Sequence, residues 1–222
     1  FSVEETLFAS NYFSDNAVTK SVAENQFVII APTGHCDFDG ANENTQVGDL
    51  NIGDARFDYF GTYLKWFDYW LKGQNNSVTD MPKVQYYTIG KNEWQSADAW
   101  PLPETKFTKY YLHSSGNANS RYGDGNLSQK PPKIEISDKY IYDPGNPVPT
   151  IGGSRSEPAG AFDQAEIEIR NDVLVYSTPV LKEGIEITGP ITLILFVSGF
   201  TNGSPPAIAI SFASFNQEIK VL

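Results

Sequence analysis

The 222-residue chain has one cysteine, Cys36, one methionine and two histidines, His35 and His113. A single cysteine excludes an internal disulfide, and with so few histidines there is no Cys/His cluster to hold a metal. Basic residues are also scarce. There are 16 Lys and Arg against 27 Asp and Glu, giving a net charge of −11 and a pI near 4.6. That deficit argues against nucleic acid or an anionic membrane as partner, since both select basic patches. No apolar run approaches the roughly 20 residues that span a bilayer. No signal-peptide pattern is visible, and the compartment stays open between cytoplasm and periplasm or secretion. There is no P-loop and no G-x-G-x-x-G, so neither a cofactor nor a metal is expected. An initiator Met is missing as well, and Phe1 opens inside a patterned segment.

What is present points to a packed protein. Aromatics make up 14% of the chain within a hydrophobic share of 40%. That suits β-rich packing and a ligand cleft rather than disorder. The length allows one large domain or two modest ones.

The most informative stretch is Phe27 to Phe38, FVIIAPTGHCDF. Its four opening apolar residues suit a buried strand, which Pro32 and Gly34 break. His35 then falls past the strand's carboxyl end, where open α/β sheets bind ligands. An imidazole there titrates near neutrality and can move protons. On spacing alone, a loop histidine bonded only to its neighbours is the commoner outcome. Cys36 beside it reads as packing, because adjacent loop residues seldom face each other.

Around this stretch, residues 2 to 13 read as a short helix, with Ser2 as N-cap and Glu5 at the capping-box position. Residues 14 to 25 read as a surface connection, and 37 to 53 as irregular. Asp54 to Lys72 is the strongest helix in the sequence. Phe57, Phe60, Leu64, Phe67 and Leu71 recur at spacings of three and four and predict a core-facing stripe. Tyr59, Tyr63 and Trp66 give a second aromatic face, so cover on two sides is expected. Gly61 is expected to admit another backbone, and Gly73 to end the helix. Val84 to Ile89 reads as a strand, followed by a turn-rich stretch with Trp94 and Trp100.

A domain junction is placed at about Glu104, giving units 1–104 and 105–222. Beyond it come short β runs at Tyr110–His113, Ile134–Ile136, Tyr140–Tyr142, Val173–Tyr176, Ile185–Ile187, Ile191–Val197 and Ile208–Phe212. Gly, Pro, Asn and Asp separate them, the pattern of a β-sandwich or jelly roll. Asp37 and Asp39 read as solvated loop acids rather than metal ligands. The Gly123 to Asn126 cluster reads as a β-turn rather than a calcium site, and His113 as structural.

APTGHCDF resembles the GPW-x-H-(G/S) loop of one α/β-hydrolase group. That group contains the X-prolyl dipeptidyl peptidases, cocaine-esterase-like acyl esterases and α-amino-acid ester hydrolases. FDYFGTYLKWFDYWLKGQNN, VQYYTIGKNEWQSADAWPLP, YIYDPGNPVPTIGG and DVLVYSTPVLKEGIEITGPITLILFVS resemble the same group in the same order. Thr33 stands where the group usually has Trp. The resemblance implies an α/β plus all-β fold: the C-terminal piece of an α/β-hydrolase domain, then a jelly-roll, galactose-binding-like β-sandwich that is possibly incomplete. It implies His35 as the general base of a Ser–His–Asp triad acting on a small ester, an amide or a short peptide. No nucleophile elbow of the G-x-S-x-G kind occurs. The nearest string, Gly152-Gly153-Ser154-Arg155-Ser156, lacks the final Gly and lies in the β-rich part. By the resemblance the triad Ser lies well upstream, and the Asp at or just before Phe1. The expectation is a C-terminal fragment of a serine hydrolase, inactive alone, whose partners include its own missing N-terminal part, with a homo-oligomer left open. A non-catalytic β-sandwich binding module, for instance for carbohydrate, is the alternative.

Overall fold

The computed structural model describes residues 3–34, 37–153, 158–196 and 198, together with strand segments 212–215 and 218–221. The chain divides into two compact units. One comprises residues 1–105, 152–162 and 188–190; the other comprises 106–151, 163–187 and 191–222. Among the described residues, β-sheets carry both units, and helices are few. No described helix is long and apolar enough to cross a membrane.

The first unit opens with helix α1 (Val3–Asp15) and a short helix α2 (Lys20–Glu24). Ser2, expected to cap α1, lies outside the described residues. Thr19 caps α2, its hydroxyl accepting from the Val22 amide at 3.3 Å. Strand β1 (Val28–Ile30) follows, then a small antiparallel hairpin of β2 (Gln46–Val47) and β3 (Leu50–Asn51). Helix α3 (Tyr59–Lys72) is the crossover from β1 to β4 (Val84–Thr88), and these two strands pair in parallel. A single turn of 3₁₀ helix, Val78–Asp80, lies within that connection. Strand β5 (Glu93–Ala97) adds antiparallel to β4, giving the order β1-β4-β5.

Helix α3 starts later than the Asp54 its pattern suggests. The Asp54 carboxylate accepts from the Arg56 amide at 3.2 Å and grips its guanidinium at 2.8 and 2.6 Å, a local turn that competes with helix. Asp58 is the actual N-cap, accepting from the Gly61 amide at 2.9 Å. Gly61 accordingly makes room for that side chain rather than for another backbone; a Cβ there would lie 2.0 Å from Asp58 Oδ2. Gly73 ends the helix in the left-handed region at φ 70°.

The stripe expected to face the core is corrected by the structure. Phe57 packs inward on Tyr59 and Trp94, with ring centroids 4.8 and 4.9 Å away. Phe60, Leu64, Phe67 and Leu71 instead stand 61, 65, 54 and 76% exposed. The face that α3 buries holds Tyr59 and Trp66, against Phe38 and Phe27. Periodicity locates apolar faces, but α3 has two, and among the described residues only one is covered.

The core of this unit is Ile52, Ala55 and Tyr87, flanked by Ala41, Val47, Leu50 and Trp94. The Tyr87 hydroxyl donates to the Ile52 carbonyl at 2.5 Å, so its polar end is satisfied inside the cluster. Residues 158–162 are strapped to the β2–β3 hairpin. The Asp49 amide donates to the Ala161 carbonyl at 2.7 Å, and the Ala161 amide to Val47 at 3.3 Å. Gly48 and Gly160 permit that approach. Both have positive φ, and a Cβ on either would meet backbone of the other strand at 2.2 or 2.3 Å.

The second unit is built on β6 (Tyr111–His113), β7 (Asn126–Ser128), β8 (Tyr176–Ser177), β9 (Phe212–Phe215) and β10 (Glu218–Val221), in the order β6-β7-β8-β10-β9. Only β7 and β8 are parallel. A one-turn helix α4 (Ala165–Glu168) precedes β8. Its cores are Ala118, Leu127 and Tyr176, and Ile167, Val173 and Val175. Asp138 ties the first core together. It accepts from the Ser114 hydroxyl at 2.6 Å, the Ala118 amide at 2.8 Å and the Tyr176 hydroxyl at 2.5 Å. Burial, then that hydrogen bond, pushes Tyr176 ionisation up.

Several expected strands are irregular here: Ile134–Ile136, Tyr140–Tyr142, Ile185–Ile187 and the described part of 191–197. Ile134, Ile141, Ile194 and Phe196 are almost wholly exposed. A strand needs a ladder neighbour, and no described strand forms a ladder with these segments. Residues 208–211 of the last expected run lie outside the described residues.

Arg170 closes this unit's loops. Its guanidinium holds Asp172 in two bonds of 2.8 and 2.6 Å and donates to the Asn146 carbonyl at 2.8 Å. The hydrogen bond from Arg170 holds the Asp172 carboxyl below its usual range. A depressed folded value means that the stabilisation is present above the ordinary Asp range and is lost as pH falls through the lowered one. Asp172→Asn should therefore lie below the native chain in urea midpoint at pH 7, with a smaller gap at a pH below the ordinary Asp range. A gap equal at both pH values would show that the pair is not the source.

A candidate active-site loop

Strand β1 ends at Ile30, and the chain leaves its carboxyl end into residues 31–40. His35 and Cys36 lie outside the described residues; what the structure describes is the frame on either side of them. The Asp37 amide donates to the Gly34 carbonyl at 3.2 Å, and the Gly40 amide to the Asp37 carbonyl at 3.2 Å. Gly40 leaves space for the Asp37 carboxylate, since a Cβ there would lie 2.2 Å from Oδ1. On the strap, the Ala159 methyl lies 3.5 Å from where a Cβ on Gly34 would stand.

Phe38 anchors the far side of the turn, edge-on to Tyr59 at 5.1 Å. Tyr59, Phe57, Trp94 and Tyr87 continue as a run of touching rings. Trp94 is fixed by its indole N–H, which donates to the carbonyls of Ala55 and Arg56 at 3.2 and 3.1 Å. The frame of the loop is thus aromatic and largely uncharged. Two hydroxyls within it, on Thr33 and Tyr59, are buried with no hydrogen-bond partner among the described residues. Burial, with the Tyr63 ring oxygen a lesser cause, pushes Tyr59 up to about 12. Tyr59 is therefore neutral at any working pH and is a donor rather than an anion. Residues 31–34 thus leave a strand's carboxyl end, the edge where open α/β sheets bind ligands, and Phe38 lies against an apolar wall.

The other residues singled out in the sequence lie elsewhere. His113, on β6, pairs its Nδ1 with the Glu135 carboxylate, while its buried Nε2 has no partner among the described residues. The Asp124 carboxylate accepts from the Ser115 amide at 3.0 Å. Gly152 and Gly153 have positive φ, and Gly153 pairs with Gly160; Ser154, Arg155 and Ser156 lie outside the described residues. Among the described residues no three His, Cys, Asp or Glu side chains converge as metal ligands. Sequence reasoning missed Tyr59, Phe57 and Trp94 as the wall of this loop. The only local signal was their aromatic density, which reads equally well as core.

The second unit has a separate open cleft of about 490 Å³. Asn119, Lys139, Tyr140, Asn146, Arg170 and Asp172 are among its lining residues.

The chain belongs to the family of X-Pro dipeptidyl-peptidase C-terminal non-catalytic domains, whose profile matches residues 76–202. Its relatives are esterases and peptidases. Cocaine esterase of Rhodococcus sp. (strain MB1 Bresler) is 36% identical over 174 residues, 77% of this chain and 30% of that protein. A Bacillus anthracis protein provisionally named Xaa-Pro dipeptidyl-peptidase is 26% identical over 137 residues, 62% of this chain and 20% of that protein. Among solved structures, an aminopeptidase from a marine-sediment Thaumarchaeota archaeon is 28% identical. The match covers 64% of this chain and 23% of that one, with a TM-score of 0.44. The chain thus spans less than a third of the length of the curated relatives it matches. His35 precedes the range matched by the family profile.

Proposed function

We propose that this chain is the C-terminal part of a serine acyl hydrolase that cleaves esters or amides of small molecules or short peptides. Residues 1–104 end its α/β-hydrolase domain, and residues 105–222 belong to a jelly-roll, galactose-binding-like domain. His35 is the general base, while Ser and Asp are supplied upstream of Phe1. The observation that carries this reading is the APTGHCDF sequence that follows a strand parallel to its neighbour, in a chain of this family. The serine hydroxyl adds to the acyl carbon as His35 takes its proton. His35 then returns that proton to the departing alkoxide or amine. Water repeats the sequence to release the acid, and the Asp fixes the imidazole tautomer throughout. The aromatic frame of Phe38, Tyr59 and Phe57 suits an apolar acyl or leaving group.

With its nucleophile elsewhere, this polypeptide alone should not turn over p-nitrophenyl acetate above the buffer rate. A burst that a serine-specific inhibitor abolishes would reveal a nucleophile within residues 1–222.

The cleft in the second unit supports a second reading, a sugar-binding module. It places a half-exposed tyrosine, Tyr140, beside amide and charged side chains. Saturable binding of a glycan, lost in Tyr140→Ala, together with no activity in the longer hydrolase, would favour it.

A further inference from the structure

We propose that the open cleft of the second unit takes an acidic sugar, a pyranose that carries a carboxylate. The inference rests on the sugar-binding reading of that cleft and adds the charge of the ligand and the residue that reads it.

The charge follows from which groups are already committed. The Arg170 guanidinium donates to both Asp172 carboxylate oxygens at 2.8 and 2.6 Å. It also donates to the Asn146 carbonyl at 2.8 Å and to that residue's side-chain oxygen at 3.3 Å. Arg170 and Asp172 thus neutralise each other. Asp143 lies in the field of Arg170 without lining the cleft. Lys139 is different: its ammonium forms no hydrogen bond or ion pair with a described residue. The lining therefore holds two cations and one carboxylate, a net positive charge within a chain of net charge −11. A cleft concentrates such a field on the group that enters it. An ammonium is a compact charge with three donors, suited to a single carboxylate.

The sugar follows from the remaining groups. The Asn119 carboxamide nitrogen donates to the backbone carbonyls of Lys139 and Asn171, each at 2.8 Å. Those bonds fix the side chain, hold the two lining segments together and leave the Asn119 side-chain oxygen as an acceptor. The Asn171 carboxamide and the Tyr140 hydroxyl have no described partner. A carboxamide both donates and accepts, which is what the hydroxyls of a sugar require. Tyr140 is 38% exposed, so part of its ring is open to the C–H face of a pyranose. The volume of about 490 Å³ falls within the range of small-ligand sites. A neutral sugar would leave the Lys139 charge unanswered, and a simple carboxylate would leave the amides and the ring unused. A sugar acid answers both.

The test is calorimetric titration of the full chain with digalacturonic acid, with its neutral counterpart galactobiose, and with glutarate, which has carboxylates and no ring. Digalacturonate is expected to bind about five-fold or more tightly than galactobiose, the scale of one charge-assisted hydrogen bond. Glutarate should not saturate the chain at about 10 mM. The preference should shrink as salt is raised, because the pair is open to solvent. Lys139→Gln should bring digalacturonate down to the level of galactobiose. Lys133→Gln, which does not line the cleft, should leave the preference intact. Lys139 is exposed, and the comparison of the two sugars on the native chain needs no variant at all. Galactobiose bound as tightly as digalacturonate would overturn the acidic ligand and leave the sugar-binding reading standing. No binding of any of the three would remove both. Glutarate bound as tightly as the sugar acid, or a preference unchanged in Lys139→Gln, would also overturn the proposal. No turnover is measured, so the hydrolase reading is judged separately.

Discussion

Replacing His35 by Ala in the full-length hydrolase should lower kcat by about 10²–10⁴-fold, and by more if the triad acts as a unit. The loss falls on kcat because the imidazole moves a proton during acyl transfer and contributes little to ground-state binding. The acidic limb of the pH profile should go with it, since that limb reports the protonation of the base. Folding should survive, because position 35 follows β1 in the sequence and the core described for this unit is built from Ile52, Ala55 and Tyr87. His113→Ala is the control. That residue lies on β6, paired with Glu135, and its loss should leave kcat within a few-fold. Near-normal turnover in His35→Ala with an unchanged pH profile would remove the catalytic assignment and move the binding-module reading ahead.

Ile52→Ala should destabilise this chain by about 2–5 kcal/mol. Ile52 is 1% exposed and packs with Ala55 and Tyr87 beneath Trp94. Its backbone is pinned on both sides, with its amide donating to Thr45 and its carbonyl accepting from Tyr87. The surroundings therefore have little freedom to collapse into the vacated volume, which places the cost in the upper part of that range. The expected result is a lower urea midpoint with an unchanged slope. Because Tyr87 and Trp94 continue into the rings framing the 31–40 loop, a looser core should also broaden the near-ultraviolet aromatic signal. A loss under about 1 kcal/mol would mean that this cluster is not the core of its unit.

The sequence made some of this legible and hid the rest for identifiable reasons. Strands β1 and β4 were readable because buried strands of a parallel unit are continuous apolar runs. The end of α3 at Gly73 was readable because a left-handed cap has a local residue signature. Strand β5 was not, since Glu93 to Ala97 alternates weakly and follows a Gly-Lys-Asn turn that dominates the local pattern. The 158–162 strap was invisible because its bonds join residues more than 100 positions apart, through glycines that look like ordinary turn residues. Ile134–Ile136 and Ile191–Phe196 have strand composition but no ladder neighbour among the described residues, and composition does not report the neighbour. For the candidate site, position on a strand's carboxyl edge followed from residue order alone, while the role of His35 rests on the resemblance of its loop. The aromatic wall needed the structure, because Phe57, Tyr59 and Trp94 meet only once α3 and the β4–β5 hairpin are in place.

The central claim is that this chain supplies the base, not the nucleophile, of a serine hydrolase. Fluorophosphonate labelling with peptide mapping tests it most directly, applied in parallel to this chain and to the full-length hydrolase. The account predicts no label on residues 1–222 in either sample, and one labelled serine upstream of Phe1 in the longer protein. A modified serine within residues 1–222, or a full-length protein that hydrolyses esters yet takes no label, would contradict it.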